Sequence, residues 1–183
     1  MRLQGKRSHK KEGSSRNDYF FLLNMIKGAY KMLKDKLYNI FKEEYIKLDL
    51  KCNNWEEAIR GTGNILLENR LVTNEYVEET INSVRKLGAY IVIDKGIVMP
   101  HASDYKGVKI NGIAISRLEN PIEFGSKNND PVNYIFMIAS KNMESHIEML
   151  SRLSDLLINK NFINTIKKAQ NGNDIIEYID LNS

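Results

Sequence analysis

The sequence has few cysteines, prolines and histidines for its length of 183 residues. Cys52 is the single cysteine, which excludes a disulfide within the chain and a zinc site built from several thiolates. A chain without disulfides fits a reducing compartment, so we predict a cytoplasmic protein. Only 3 prolines and 11 glycines are present, too few for a low-complexity or collagen-like chain. The composition predicts one globular domain of ordinary size.

Long hydrophobic runs are also missing. The longest, such as Phe20 to Leu23 and Tyr134 to Ala139, are much shorter than the roughly 20 residues that a transmembrane helix needs. Asn24 and Lys27 interrupt the apolar stretch near the start, and no small-residue cleavage site follows, which argues against a signal peptide. The sequence therefore predicts no membrane span.

The positive charge is concentrated in residues 1–17. The net charge is +4, but this segment holds six Lys and Arg against one Glu, so the other residues together carry −1. It has few large apolar side chains, which predicts a disordered basic tail that includes His9. No recognition-helix or aromatic signature follows, so a solvated tail is favoured over a nucleic-acid or lipid contact.

Apolar residues spaced by three and four predict helices along most of the chain. Residues 18–42 form a predicted helical extension ahead of the main domain, residues 43–183. Inside that domain, Asn54 and Gly88 are the expected helix cap and helix terminator. The predicted helices of the main domain are 55–69, 74–87, 143–158, 162–169 and 173–179.

Four stretches have the apolar pattern of strands. Ile46, Leu48 and Leu50 alternate with charged residues and predict a half-buried strand. Residues 90–93 and 110–117 predict two more, and residues 132–139 are apolar on both faces, as in a central strand. Helices thus precede, interrupt and follow a small sheet. This order predicts an α/β layered domain.

Two histidines are the best candidates for chemistry. His101 follows the stretch YIVIDKGIVMP, and His146 lies near the start of the predicted helix 143–158. A neutral imidazole, with an ordinary pKa of about 6.5, is a good nucleophile near pH 7 and accepts and releases phosphoryl groups. Judged without any family pattern, a lone histidine after a strand is more often structural.

A resemblance to a known family rests on three segments, WEEAIRGTGNILLENRLVTNEYVE, LGAYIVIDKGIVMPHA and GSKNNDPVNYIFMIASKNMESHIEMLSRLSDLL. In their order and spacing, residues 46–180 resemble the EIIA phosphocarrier domain of the bacterial phosphoenolpyruvate-dependent sugar phosphotransferase system (PTS). The resemblance is to the mannitol/fructose superfamily (type 2) and, within it, to the ascorbate-type branch. It implies a three-layer α/β/α sandwich with a small mixed β-sheet, no cofactor and no metal.

The resemblance also implies a function. His101, directly after the Pro of the MPHA segment, matches the phosphoacceptor, and His146 matches a second active-site histidine that stabilises the phosphate. Such a phosphotransferase accepts phosphoryl from HPr and passes it to the cysteine of a cognate EIIB, which acts with a membrane EIIC in carbohydrate uptake. The alternative is an EIIA-like regulatory module that controls transcription or a partner protein by its phosphorylation state. The sequence does not specify the sugar.

One position departs from the mannitol-type pattern. Ser83 stands where those members carry an arginine, and the resemblance implies that the ascorbate-type branch lacks it too. Arg85 and Lys86 lie nearby but are predicted to point elsewhere on the helix, so the cation that balances the phosphate stays open.

Three further expectations concern the surroundings of the histidines. The end of the predicted helix is expected to favour an anion and to disfavour protonation of His146. Ile97, Val98 and Met99 are expected to form an apolar docking surface. Residues 128–131 are expected to form a turn.

Overall fold

The computed structural model describes residues 40–182 together with Met25. The predicted basic tail, residues 1–17, and most of the predicted extension, residues 18–42, lie outside the described residues. Residues 40–42 are not helical, and the side chains of Ile40 and Phe41 are buried in the core. The core of the domain therefore includes apolar residues that the helical pattern assigned to the extension.

Five strands form one mixed sheet in the order β1-β4-β5-β3-β2. They are β1 Ile46–Leu50, β2 Val92–Asp94, β3 Ile97–Val98, β4 Gly112–Ile122 and β5 Val132–Ala139. β1 runs parallel to β4 and β3 parallel to β5, whereas β4 pairs with β5, and β2 with β3, in antiparallel fashion. β5 is the middle strand, as its apolar residues on both faces predicted.

The helices begin and end close to the predicted bounds. They are α1 Trp55–Glu68, α2 Asn74–Leu87, α3 Met143–Ile158, α4 Lys160–Lys168 and α5 Gly172–Asn182. Asn54 caps α1 by accepting a 2.9 Å hydrogen bond from the Glu57 amide, and Gly88 ends α2 with φ of 78°, a conformation that a Cβ disfavours. None of the described helices is long and apolar enough to cross a membrane.

The sheet lies between two helical layers, and β5 contributes side chains to both. Ile135 and Met137 pack into the layer that contains α1 and α2, while Phe136 and Ile138 pack into the layer of α3, α4 and α5. This alternation follows from the two-residue repeat of a strand. The predicted three-layer α/β/α sandwich with a mixed sheet is confirmed.

The predicted strand over residues 90–93 is wrong in its first half. Residues Ala89–Ile91 form a 3-10 turn, and the Val92 amide bonds back to the Ala89 carbonyl. Tyr90 belongs to this turn and is 45% exposed, although its apolar neighbours in the sequence predicted a buried strand. The sequence pattern also gave no sign of the two-residue strand β3.

The strand predicted over residues 110–117 begins later and runs further. The Lys109 and Ile110 amides bond to the Leu71 carbonyl, so this part of the chain pairs with the α1–α2 connection and β4 starts only at Gly112. Ile110 is consequently 53% exposed.

A bulge in β1 changes the predicted faces of that strand. Lys47 is opposite Ser116 and Leu50 is opposite Leu118, so β1 has one residue more than β4 between these pairs. Asp49, with φ of 56°, is the residue that turns the strand. Leu50 therefore packs with the α1 and α2 layer, opposite to Ile46 and Leu48.

Candidate active site

His101 lies just beyond the end of β3, where the chain still runs beside β5. The Ile138 amide of β5 donates to the Pro100 carbonyl, and the Met99 amide donates to the Ile91 carbonyl. The Nδ1 atom of His101 lies 2.9 Å from the Met99 carbonyl oxygen. Because a carbonyl oxygen only accepts, Nδ1 carries the hydrogen, and in the neutral ring Nε2 holds the lone pair. The backbone contact thus leaves Nε2 as the ring nitrogen with the free lone pair.

Tyr76 of α2 ends the pairing between this segment and β5. In a continued parallel ladder, the Ala102 amide would donate to the Ile138 carbonyl. The Tyr76 hydroxyl stands between them: it donates to the Ile138 carbonyl at 2.5 Å and accepts from the Ala102 amide at 3.5 Å. Burial raises the pKa of Tyr76 to about 12, so the hydroxyl keeps its hydrogen. The sequence gave no sign of this role, because the Tyr76 ring fits the apolar stripe of α2.

His146 lies in the first turns of α3 and meets His101 across the end of the sheet. The two ring centroids are 5.1 Å apart, with the ring planes at 56°. The Nδ1 atom of His146 lies 3.1 Å from the Oγ atom of Ser140, a buried residue that directly follows β5. The structure therefore brings together the two histidines that the sequence singled out, each with Nδ1 already engaged.

Burial is the main cause that lowers the pKa of His146, and the neighbouring His101 adds to it. The direction agrees with the expectation that protonation is disfavoured, but the expected cause was the helix end. That end is partly occupied, because the Asn142 side chain accepts from the Ser145 amide in a capping box. Its free amides are consequently fewer than the sequence suggested.

The apolar surface near the histidines is not the one that was predicted. Ile97, Val98 and Met99 are all buried, since β3 pairs with β5 and its side chains pack into the two layers. The exposed or half-buried apolar groups near the site come from other elements. We call this set the apolar rim, and its members are Tyr90, Tyr105, Met143 and Ile147.

Two members of the rim lie against the ring pair, Met143 contacts one of these two, and Ile147 directly follows His146 in the chain. The Tyr90 ring stands edge-on to His101 with centroids 6.3 Å apart, and the Tyr105 ring lies 6.3 Å from that of His146. The Tyr105 hydroxyl contacts the Met143 sulfur at 3.5 Å. Met143 and Ile147, four residues apart on α3, are 61% and 59% exposed.

Ser83, the position of the mannitol-type arginine, is buried in α2. Arg85 is engaged elsewhere, because its Nε atom lies 2.7 Å from Glu56 of α1 and its Nη1 donates to Asn82. The prediction that Arg85 points away is confirmed.

The loop before β5 is a structural turn. The Asp130 carboxylate accepts hydrogen bonds from the amides of Phe124, Gly125 and Ser126. Asn129 bonds to the Val92 carbonyl through its side chain and to the Gly96 amide through its carbonyl. The expected turn over residues 128–131 is thus present in this loop, and the loop also holds the β2–β3 turn in place.

Neither a metal centre nor a reactive thiol is evident in the described part of the chain. Residues 40–182 hold no group of three His, Cys, Asp or Glu side chains placed to bind a metal ion. Cys52 is half-buried, and burial raises the pKa of its thiol, which disfavours the thiolate.

Comparison with known proteins decides the family. Residues 39–182 match the family described as "Phosphoenolpyruvate-dependent sugar phosphotransferase system, EIIA 2". The chain belongs to this EIIA family. EIIA proteins are phosphohistidine carriers, so this EIIA domain is a phosphotransferase that carries a phosphoryl group for a sugar PTS.

Individual relatives agree with this assignment. The ascorbate-specific PTS system EIIA component of Salmonella typhi is 27% identical over 136 residues, which cover 74% of this chain and 88% of that protein. A crystal structure from Streptococcus pyogenes, provisionally named a PTS IIA domain, is 26% identical with a TM-score of 0.69, covering 76% of this chain and 91% of its own.

A third relative is known in a complex. The structure of mannitol EIIA with phosphorylated EIIB from Escherichia coli has a TM-score of 0.67 to this EIIA domain at 23% identity, over 76% of this chain and 96% of that one. The likeness confirms the fold. The similarity to an ascorbate-specific EIIA component agrees with the resemblance to the ascorbate-type branch.

Proposed function

We propose that His101 is the phosphoacceptor of this EIIA domain and that Nε2 is the atom that takes the phosphoryl group. One observation carries the proposal: the Nδ1 hydrogen of His101 is bound by the Met99 carbonyl, and the ring lies against a second imidazole, that of His146. Because Nδ1 carries the hydrogen, the lone pair of the neutral ring is on Nε2, which is the nucleophile that we propose.

The transfer balances without an added base. The Nε2 lone pair of His101 attacks the phosphorus of a phosphohistidine donor, and the donor nitrogen leaves with the electron pair of the broken P–N bond. The Nδ1 hydrogen stays on His101. Onward transfer follows when a cysteine thiolate attacks the same phosphorus and Nε2 recovers its lone pair. Such steps depend on positioning and on charge stabilisation more than on covalent help from the protein.

We assign His146 the stabilisation of the phosphoryl group. Burial keeps the ring neutral, so His146 donates one hydrogen bond and does not trap a dianion in an ion pair. A carrier has to release what it accepts, and a neutral donor allows that release more readily than a buried cation.

The proposed donor is HPr, and the proposed recipient is the cysteine of a cognate EIIB that supplies a membrane EIIC. The apolar rim offers these partners a contact surface around the reacting nitrogen. The carbohydrate proposed is of the ascorbate type, in line with the relatives. A cytoplasmic location follows from the exchange, because phosphoenolpyruvate, the system's ultimate phosphate source, is a cytoplasmic metabolite.

The test uses the full chain with phosphorylated HPr, the EIIB of an ascorbate-type system and labelled phosphate. Wild type and a His9→Ala control should take up acid-labile, base-stable label and pass it to the EIIB cysteine. His101→Ala should take up none. His146→Ala should accept phosphate but transfer it onward about 100-fold more slowly, as expected when one preorganised donor is lost.

Two results would contradict the proposal. Acid-labile, base-stable label that persists on His101→Ala would place the acceptor elsewhere. Uptake without onward transfer to any EIIB cysteine would favour the regulatory module over the transport subunit.

A further inference from the structure

Ser140 stands between the central strand and the second histidine. It directly follows β5 and is only 3% exposed, and its Oγ lies 3.1 Å from Nδ1 of His146. The sheet holds Ser140 rigidly, because the preceding residue, Ala139, pairs with Gly112 of β4. A hydroxyl so placed fixes the orientation of the His146 ring.

The direction of this hydrogen bond decides which nitrogen of His146 carries the hydrogen. If Ser140 donates, Nδ1 is the acceptor and the hydrogen of the neutral ring is on Nε2. If Nδ1–H donates to Oγ, then Nε2 presents a lone pair to the neighbouring site, where it would repel a phosphoryl oxygen.

The surroundings of Ser140 favour the first arrangement. Apart from His146, no hydrogen-bond partner of its hydroxyl is found in residues 40–182. If Oγ only accepted from Nδ1–H, the serine hydrogen would be buried without an acceptor, which is costly. With Ser140 as donor, the hydroxyl hydrogen and the Nδ1 lone pair satisfy each other.

We propose that Ser140 is a positioning residue that holds His146 as the Nε2–H tautomer, so that this histidine faces the phosphoryl group as a hydrogen-bond donor. The role rests on the proposed function, in which His101 carries that group. The two contacts then set opposite tautomers. The Met99 carbonyl holds the hydrogen on Nδ1 of His101 and leaves a lone pair on Nε2, whereas the Ser140 hydroxyl donates to Nδ1 of His146 and leaves the hydrogen on Nε2.

The first experiment needs no substitution. Nitrogen NMR of the unphosphorylated wild type at a pH where His146 is neutral should show its Nε2 protonated and its Nδ1 unprotonated. The same measurement on Ser140→Ala should show a mixture of tautomers, and Ser140→Thr should restore the single tautomer. A wild-type ring with its hydrogen on Nδ1 would overturn the proposal.

The second experiment measures onward transfer to EIIB. Ser140→Ala should lower the rate by about fivefold, the effect of weakening one neutral hydrogen bond, and Ser140→Thr should recover most of it. Ser116→Ala is the matched control, since Ser116 is a buried serine of β4 whose hydroxyl bonds to Thr62 instead.

A double-mutant cycle separates positioning from general stability. A glutamine at position 146 donates through its amide whatever Ser140 does, so Ser140→Ala should have no further effect in His146→Gln. An equal loss in both backgrounds would mean a merely structural role. If wild type takes up no phosphate, the proposed function fails, whereas the tautomer measurement still decides the role of Ser140.

Discussion

The hydroxyl of Tyr76 is inserted between the Ala102 amide and the Ile138 carbonyl, with a 2.5 Å hydrogen bond to that carbonyl. A side chain of α2 thereby occupies a position that a β-ladder hydrogen bond would otherwise fill. The consequence is that the chain leaves the sheet at His101, which keeps the ring at the surface of the domain.

Removal of this hydroxyl should therefore affect both stability and transfer. Tyr76→Phe leaves a buried amide and a buried carbonyl without their partner, and we expect the free energy of unfolding in urea to fall by about 2 kcal/mol. Phosphate uptake should slow as well, because the segment that carries His101 loses the contact that fixes it beside β5.

Tyr178→Phe is the control for that variant. The Tyr178 hydroxyl is buried and has no hydrogen-bond partner among residues 40–182, so its loss should leave stability almost unchanged. Equal destabilisation by the two substitutions would contradict the role given to Tyr76.

Arg117 of β4 joins the sheet to the end of α4, away from the histidines. Its Nη1 donates to the carbonyls of Ile166 and Ala169 at 2.8 Å, and its Nε and Nη2 bond to the Asp49 carboxylate at 3.0 Å. The side chain is only 15% exposed. Arg117→Met should lower the free energy of unfolding by about 2 to 3 kcal/mol, since charged hydrogen bonds are lost from a largely buried place.

Urea denaturation compares this variant with Arg85→Met, which removes an exposed arginine paired with Glu56. Loss of the exposed ion pair in Arg85→Met should lower the free energy of unfolding far less than Arg117→Met does. The phosphate uptake of folded Arg117→Met should stay at the wild-type level, and a large loss of uptake would show that α4 influences the site.

The lowered pKa of His146 predicts a pH dependence of stability. The folded protein binds this proton less tightly than the unfolded chain, whose histidine pKa is near the ordinary 6.5. Unfolding therefore takes up a proton as the pH falls below 6.5, and the free energy of unfolding decreases until the pH passes the folded-state pKa. Well above pH 6.5 both states are neutral at this ring, and the full stability is present.

Urea unfolding of wild type and His146→Gln from pH 7.5 to 5 isolates this contribution. As the pH falls below 6.5, the free energy of unfolding should decrease more in the wild type than in His146→Gln. A difference that stays constant with pH would mean that His146 titrates normally in the folded state.

The apolar rim should contribute to partner binding. Ile147→Gln removes an exposed apolar side chain beside His146 and should raise the KM for EIIB about tenfold, with little change in stability. Ile158→Gln is the matched control, because Ile158 is 81% exposed at the other end of the same helix. The rim would be the wrong surface if both substitutions weakened transfer equally.

Local patterns in the sequence were sufficient for most elements of the fold. The bounds of α2, α3 and β5 were predicted to the residue, because their apolar spacing is regular and Gly88 ends α2 clearly. The failures lie where long-range pairing determines the backbone. Residues 90–91 have strand-forming side chains but turn, and Ile110 is apolar but pairs with Leu71 outside the sheet.

The sequence by itself also determined the two candidates for the chemistry, since it holds only three histidines and the family resemblance of the MPHA and SHIEML segments singles out His101 and His146. Only the tertiary structure decided how the two rings are placed. Its packing brings the two rings within 5.1 Å, gives each Nδ1 its partner, and buries Ile97 to Met99 while Met143 and Ile147 stay exposed. Such relations depend on contacts between distant parts of the chain, and apolar spacing within one segment carries no information about them.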